Sequence, residues 1–272
     1  MSWVRSPLAA PAGRLQPHLL RTHVKHKSAK NAAAGLYIGC SGWAYPSWRP
    51  EFYPAGLSPK KLLEYYATRL NSVEVNYTFR ALPSGATVET WLAQTGSGFR
   101  FSFKAPQRIT HFQRLVNCGP AIDAFAEMLE PVARAGRLGV ALFQLPPNMR
   151  IATERVAEFL RELEPLKLRI AFEFRHPSWF DPLTYRMLEQ HGAALCVAES
   201  DELETPDVAT APFSYYRFRR TDYATERLAE IRERLVERTR QGDVFAYFKH
   251  EDEPTGALRA ASVLDALRKG AQ

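Results

Sequence analysis

The run "AFEFRHPSWF", residues 171–180, sets Glu173, Arg175 and His176 at the end of an apolar stretch, just before a proline. In a β-strand, successive side chains point to opposite faces. Glu173 and Arg175 then share one face, while Phe172, Phe174 and His176 share the other. The same spacing of two recurs with Glu74 and Asn76 in "SVEVNYTF" and with Arg217 and Arg219 in "FSYYRFRR". Lys104, Gln144 and Lys249 stand near the ends of three further strand-like runs, and Ser41 and the Ser200, Asp201 pair near the ends of two more. Cations outnumber acids in this set: Lys104, Arg175, Arg217, Arg219 and Lys249 against Glu74, Glu173 and Asp201. Arginine's planar fork suits bidentate recognition of phosphate or carboxylate. The expected ligand is an anionic small-molecule substrate held by Arg175, Arg217, Arg219 and Lys249. Asn76, Gln144 and Trp43 complete its binding set. Glu74 or Glu173 supplies acid/base chemistry, of a hydrolase or lyase type, with His111 and Lys104 assisting.

Competing readings of the same residues stay open. The charges can form a self-satisfied plug, for example Glu173–Arg175 and Glu74–Lys104, because unpaired buried charge is costly. Two carboxylates on separate strands also fit glycoside hydrolysis. His111, in "ITHFQRL", titrates near neutrality when unperturbed, but a surface histidine without a role has the same signature. The loop "SGWAYPSWRPEFYP" (41–54) holds five rings. They stack a base or sugar, or cover the end of the core, the expectation for at least half of them. No HxH, HExxH or DxD spacing occurs, and nearby cations repel a metal, so no metal is expected. The sequence assigns no cofactor.

The positioning elements follow from texture. Apolar, β-branched and aromatic runs predict strands over 36–42, 72–79, 99–106, 138–147, 168–176, 193–200, 213–220 and 243–251. Helical spacing predicts helices over 58–70, 84–95, 120–135, 153–163, 182–191, 224–240 and 255–268. Ser58-Pro59, Pro83-Ser84, Thr153 and Asp181-Pro182 mark helix starts. The segment 201–212 is too short and proline-broken for a full helix. Eight strands alternating with helices in 272 residues predict a single-domain (β/α)₈ TIM barrel over 35–272. The turn "SGWAYPSW" lacks the glycines of a dinucleotide-binding fold. In such a barrel the chemistry sits at the C-terminal strand ends, where these polar residues fall.

Composition bounds the rest. The net charge is +7. Residues 1–34 hold six Lys/Arg and no acid, which leaves 30 basic against 29 acidic residues elsewhere. The basicity therefore belongs to a tail, expected to be a disordered extension, a targeting segment or an over-extended start. A nucleic-acid partner, bound through this tail and the aromatic loop, is the alternative to a small anion. No run of 18 apolar residues occurs, so no membrane partner is expected. Cys40, Cys118 and Cys196 form no disulfide framework, and a cytoplasmic location is expected.

Six ordered motifs carry a resemblance: "IGCSGWAYPSWRPEFYP", "SVEVNYTFRALP", "FRFSFKAPQRITHFQRL", "LFQLPP", "AFEFRHPSWF" and "VFAYFKHE". Over roughly residues 36–268 the chain resembles the family called domain of unknown function 72, the YecE-like proteins. The resemblance implies a TIM barrel and supplies no reaction. Kinship of that fold to endonuclease-like barrels implies nucleic-acid processing as an alternative activity. The chain departs from many relatives at Glu74–Ala81 and at Lys249-His250.

Overall fold

The computed structural model describes residues 34–249 and 253–270. The tail expected over 1–34 lies outside the described residues up to 33, as do His250 and Glu251. The eight strands are β1 (Leu36–Cys40), β2 (Ser72–Val75), β3 (Arg100–Lys104), β4 (Leu138–Gln144), β5 (Ile170–Glu173), β6 (Ala194–Glu199), β7 (Phe213–Phe218) and β8 (Asp243–Phe248). The helices among the described residues are α1 (Leu62–Arg69), α2 (Gly85–Ala93), α3 (Gly119–Arg134), α4 (Thr153–Leu163), α5 (Pro182–Gln190), α6 (Thr225–Thr239) and α7 (Thr255–Gly270). All ladders are parallel, in the order β1-β8-β7-β6-β5-β4-β3-β2. This is a TIM barrel.

Each helix packs through a stripe set by its sequence. In α4 the buried residues are Val156, Phe159, Leu160 and Leu163, the i, i+3, i+4, i+7 spacing of one helical face. Ser84 caps α2 by accepting the Thr87 N–H, and Asp181 caps α5 by accepting the Leu183 N–H. Thr153 lies inside α4 and caps nothing, because Ala152 occupies the cap position. No helix joins β6 to β7 among the described residues. There the Thr210 hydroxyl accepts the Leu195 N–H and donates to the Ala193 carbonyl, both at 2.8 Å.

Strands end earlier than the apolar runs predict. β2 stops at Val75, and Tyr77–Phe79 form a 3-10 turn. The Thr78 hydroxyl lies 2.9 Å from the Val75 carbonyl and 2.6 Å from the Lys104 carbonyl, which locks that turn onto β3. Arg175 and Arg219 also lie just past their ladders, at the rim.

No ladder joins β1 to β2; side chains close that seam. Asn71 accepts from the Ile38 N–H and donates to the Leu36 carbonyl, both at 2.8 Å. The Tyr66 hydroxyl accepts from the Cys40 N–H at 2.7 Å and donates to the Ser72 carbonyl at 2.9 Å. Asn76 Nδ2 donates to the Ser41 carbonyl at 3.2 Å. A Cβ at Gly39 would stand 1.8 Å from the Ser72 carbonyl oxygen, so only glycine permits the approach.

The outward strand residues, such as Phe103, Phe143 and Phe172, join the helices in one apolar layer. The inward ones fill the barrel. Tyr37 stacks on Phe245 at 4.9 Å between ring centres. Above them, the Tyr247 hydroxyl sits 2.7 Å from Ser72 Oγ and 2.8 Å from Ser102 Oγ. The lower barrel is thus packed solid, and the charged residues stand on top of it.

Candidate functional site

Arg217, on β7, closes the top of this packing and is 1% exposed. Its guanidinium donates to Glu74 Oε1 at 2.7 Å and to Glu173 Oε2. The second Glu74 oxygen accepts from the Tyr215 hydroxyl at 2.6 Å. Arg175 Nε lies 2.6 Å from Glu173 Oε1. Burial pushes the Glu173 carboxyl up, but Arg217, Arg175 and Arg219 overcome that and hold it at about 2. Burial works against the Arg217 charge, yet Glu173 and Glu74 raise its pKa well above the usual value. Glu173 and Arg217 are therefore a fixed ion pair at neutral pH.

Above this floor opens a cleft of about 1090 Å³. It lies at the C-terminal ends of β1, β2, β3 and β7, walled by α2 and the turn before α1. Its lining includes Lys60, Arg80, Lys104, Arg217 and Arg219, and no Asp or Glu among the described residues. Trp43, Tyr45, Tyr77, Phe79 and Trp91 supply aromatic walls, with Trp43 edge-on to Trp91 at 5.2 Å. Asn76 also lines the cleft, and its buried Oδ1 has no hydrogen-bond partner.

Two cations here feel each other. Burial, then Arg217, push Lys104 down to about 8, with Glu173 and Glu74 pulling the other way. Arg217, then burial, lower Arg219 to about 10. No carboxylate among the described residues comes within ion-pair distance of Lys104 Nζ, which rests 4.0 Å from the Phe79 ring centre. Of the two pairs in the plug reading, Glu74–Lys104 does not form, because Arg217 and Tyr215 already occupy Glu74. The other, Glu173–Arg175, does form, so Arg175 is engaged by a carboxylate at the rim.

Glu74, Glu173, Lys104, Arg175, Arg217, Arg219, Asn76 and Trp43 thus gather at one end of the barrel. Other expected members stand apart. His111 lies in a short π-helical segment behind Phe79, 4.9 Å away ring to ring, and its Nδ1 is 2.9 Å from Thr110 Oγ1. Burial, Lys104 and Arg114 lower its pKa. It does not line the cleft. Gln144 stands beside Glu173 in the ladder and also lies off the cleft. Lys249 lines a separate recess of about 110 Å³ with Arg220 and Arg259. Three of the five loop rings, Trp48, Phe52 and Tyr53, are buried in the core and only Trp43 and Tyr45 reach the cleft. Asp201 lies outside the interior and accepts from Thr221. Among the described residues, no three His, Cys, Asp or Glu side chains gather as metal ligands do.

Sequence reading missed Tyr215, Lys60, Arg80 and Trp91. Tyr215 was available, since a step of two back from Arg217 reaches the same inward face. Arg80 was hidden because 72–79 reads as one strand and the turn that swings it inward is invisible in the alternation.

Comparison with known proteins places this architecture. The family described as "Protein of unknown function DUF72" matches residues 37–272. The chain belongs to this family. Among curated relatives, the UPF0759 protein YunF of Bacillus subtilis is 32% identical over 156 residues, 55% of this chain and 54% of that protein. The UPF0759 protein YecE of Escherichia coli K12 is 31% identical over 170 residues, 61% of this chain and 59% of that protein. The aligned segments thus span little more than half of these curated relatives. A DUF72 crystal structure from Thermotoga maritima superposes with a TM-score of 0.77 at 26% identity, covering 86% of this chain and 99% of the other. One from Enterococcus faecalis gives 0.68 at 19% identity, covering 87% and 98%, a likeness of fold alone. No helix among the described residues is long and apolar enough to cross a membrane.

Proposed function

We propose that this DUF72 barrel is an enzyme that binds an anionic small molecule in the cleft above Arg217. One observation carries the reading: no carboxylate lines the cleft, and of its five cationic side chains only Arg217 is ion-paired among the described residues. Barrel enzymes work at this end, from residues on several strands. Burial first and then Arg217 lower Lys104, and Arg217 first and then burial lower Arg219, with Glu173 and Glu74 offsetting only part of either shift. A phosphate or carboxylate between the two cations would relieve both. The aromatic walls favour a ligand that also carries a ring or an apolar body.

In this arrangement Arg219 contacts the anion, and Lys104, in the same lining, feels its charge. Arg217 becomes a positioning residue rather than an anion ligand, since two carboxylates occupy its terminal nitrogens. Glu173, held near 2, serves as a fixed negative charge beneath the site and is a poor general acid. Exposed Tyr77, 60% accessible at the cleft, supports a second reading, in which a nucleic-acid strand stacks there.

Thermal unfolding in low salt tests both. Sulfate, inorganic phosphate and small dicarboxylates are expected to raise the melting temperature by mass action. Arg219→Gln keeps the fold and loses most of that shift. No shift with any of these anions, or an equal shift in Arg219→Gln, contradicts the reading. Tighter binding of a single-stranded oligonucleotide, with steep salt dependence lost in Tyr77→Ala, favours the nucleic-acid reading.

A further inference from the structure

Lys104 occupies a setting that anion binding alone does not require. It ends β3 and lines the cleft. Its amine is fixed over the face of Phe79, 4.0 Å from the ring centre. The charged groups that act on it are Arg217, Arg219, Glu173 and Glu74, with His111 behind Phe79. Both carboxylates are buried under Arg217, so no acid reaches up to lock the amine as an ammonium. The same cleft is lined by Arg219, which can hold an anionic group, and by Asn76, whose Oδ1 lacks a partner. The cleft is large enough for a substrate to place an electrophilic carbon at Lys104 while its anion rests on Arg219.

We propose that Lys104 is a covalent nucleophile that captures an aldehyde or ketone carried by an anionic substrate, forming an imine. This deepens the anion reading and rests on it for the substrate's charge. The step balances without an oxidant or reductant. The Nζ lone pair attacks the carbonyl carbon, a C–N bond forms, and the C=O π pair moves to oxygen. That oxygen takes up the proton that the nitrogen releases. A further proton then lets the carbinolamine lose water as the nitrogen lone pair closes the C=N bond. One amine, one carbonyl and one proton become an iminium and one water. The iminium keeps the positive charge where the ammonium stood, so the floor of the site is undisturbed. Burial and Arg217 lower the Lys104 pKa to about 8, so near neutral pH it gives up its proton far more readily than an ordinary lysine.

The test is reductive trapping of the whole chain with pyridoxal 5′-phosphate and borohydride at pH 7.5, read by peptide mass spectrometry. Exposed Lys61 and Lys167 serve as internal references. Lys104 is expected to label at least tenfold faster than either, and inorganic phosphate is expected to suppress that labelling. Lys104→Arg is expected to remove it and leave the references unchanged. Label spread evenly over the three lysines overturns the proposal, and this comparison needs no variant. Propanal, a neutral aldehyde, separates the two claims. Selective trapping of Lys104 by propanal at the same rate as by pyridoxal phosphate supports the nucleophile and contradicts the anion reading. Phosphate-induced stabilisation without selective trapping overturns the nucleophile and leaves the anion reading standing.

Discussion

Arg217 and Arg219 stand two positions apart on one face, yet their surroundings give them different work. Arg217 is clamped by Glu74 and Glu173, whereas no ion pair to Arg219 is formed among the described residues. Removing one partner of a buried ion group leaves uncompensated charge, at a cost of about 3–5 kcal/mol. Arg217→Met and Glu173→Gln are therefore expected to lose stability of that order in urea unfolding at pH 7, while Arg219→Gln loses under ~1 kcal/mol. The pH dependence has a definite sign. The folded Glu173 pKa, about 2, lies below the ordinary 4.5, so its stabilisation is present above 4.5 and fades as pH falls towards 2. The gap between wild type and Glu173→Gln should narrow through that window. A constant gap would show that Glu173 is not held as an anion. Period two made the shared face of these residues legible in the sequence. It could not tell which cation takes which acid, because Arg217 and Glu74 are 143 residues apart and meet only through barrel closure.

At the scale of elements, the β1–β2 seam positions one wall of the cleft. Backbone pairing is absent there, and Asn71, Tyr66 and Asn76 substitute for it. Asn71→Ala orphans the Ile38 N–H and the Leu36 carbonyl, and is expected to cost on the order of 2–4 kcal/mol. Gly39→Ala forces a methyl against the Ser72 carbonyl, 1.8 Å away, and should cost about 3 kcal/mol or more. Gly85→Ala, which meets open space at the start of α2, is the control and should be neutral or slightly stabilising. Denaturant midpoints for the three variants check this. A tolerated Gly39→Ala would mean that the seam is looser than described. Strand and helix positions were largely legible from periodicity, as α4 illustrates. The turn at Tyr77–Phe79 was not, since "SVEVNYTF" keeps an apolar alternation past the point where Thr78 bends the chain.

At the scale of the molecule, alternating textures and the polar strand ends predicted a barrel with a polar mouth. The cleft itself was not legible. It depends on α2 and on turns that bring Lys60, Arg80 and Trp91 over the strands, and no local pattern announces such docking. The fold also sorts the charges into two storeys: a neutralised plug of Glu74, Glu173, Arg175 and Arg217, and a cationic cleft above it. The plug reading of the strand-end charges accounts for the lower storey, and the anion reading is our proposal for the upper one. The central claim is that the upper storey takes an anion. Calorimetric titration of sulfate, a fixed dianion, at pH 8 in two buffers of different ionisation enthalpy tests it most directly. Because the anion stabilises the Lys104 ammonium, binding should be accompanied by net proton uptake, and Lys104→Met should abolish that uptake. Absence of binding, or binding whose proton exchange is zero or unchanged in Lys104→Met, would contradict the account.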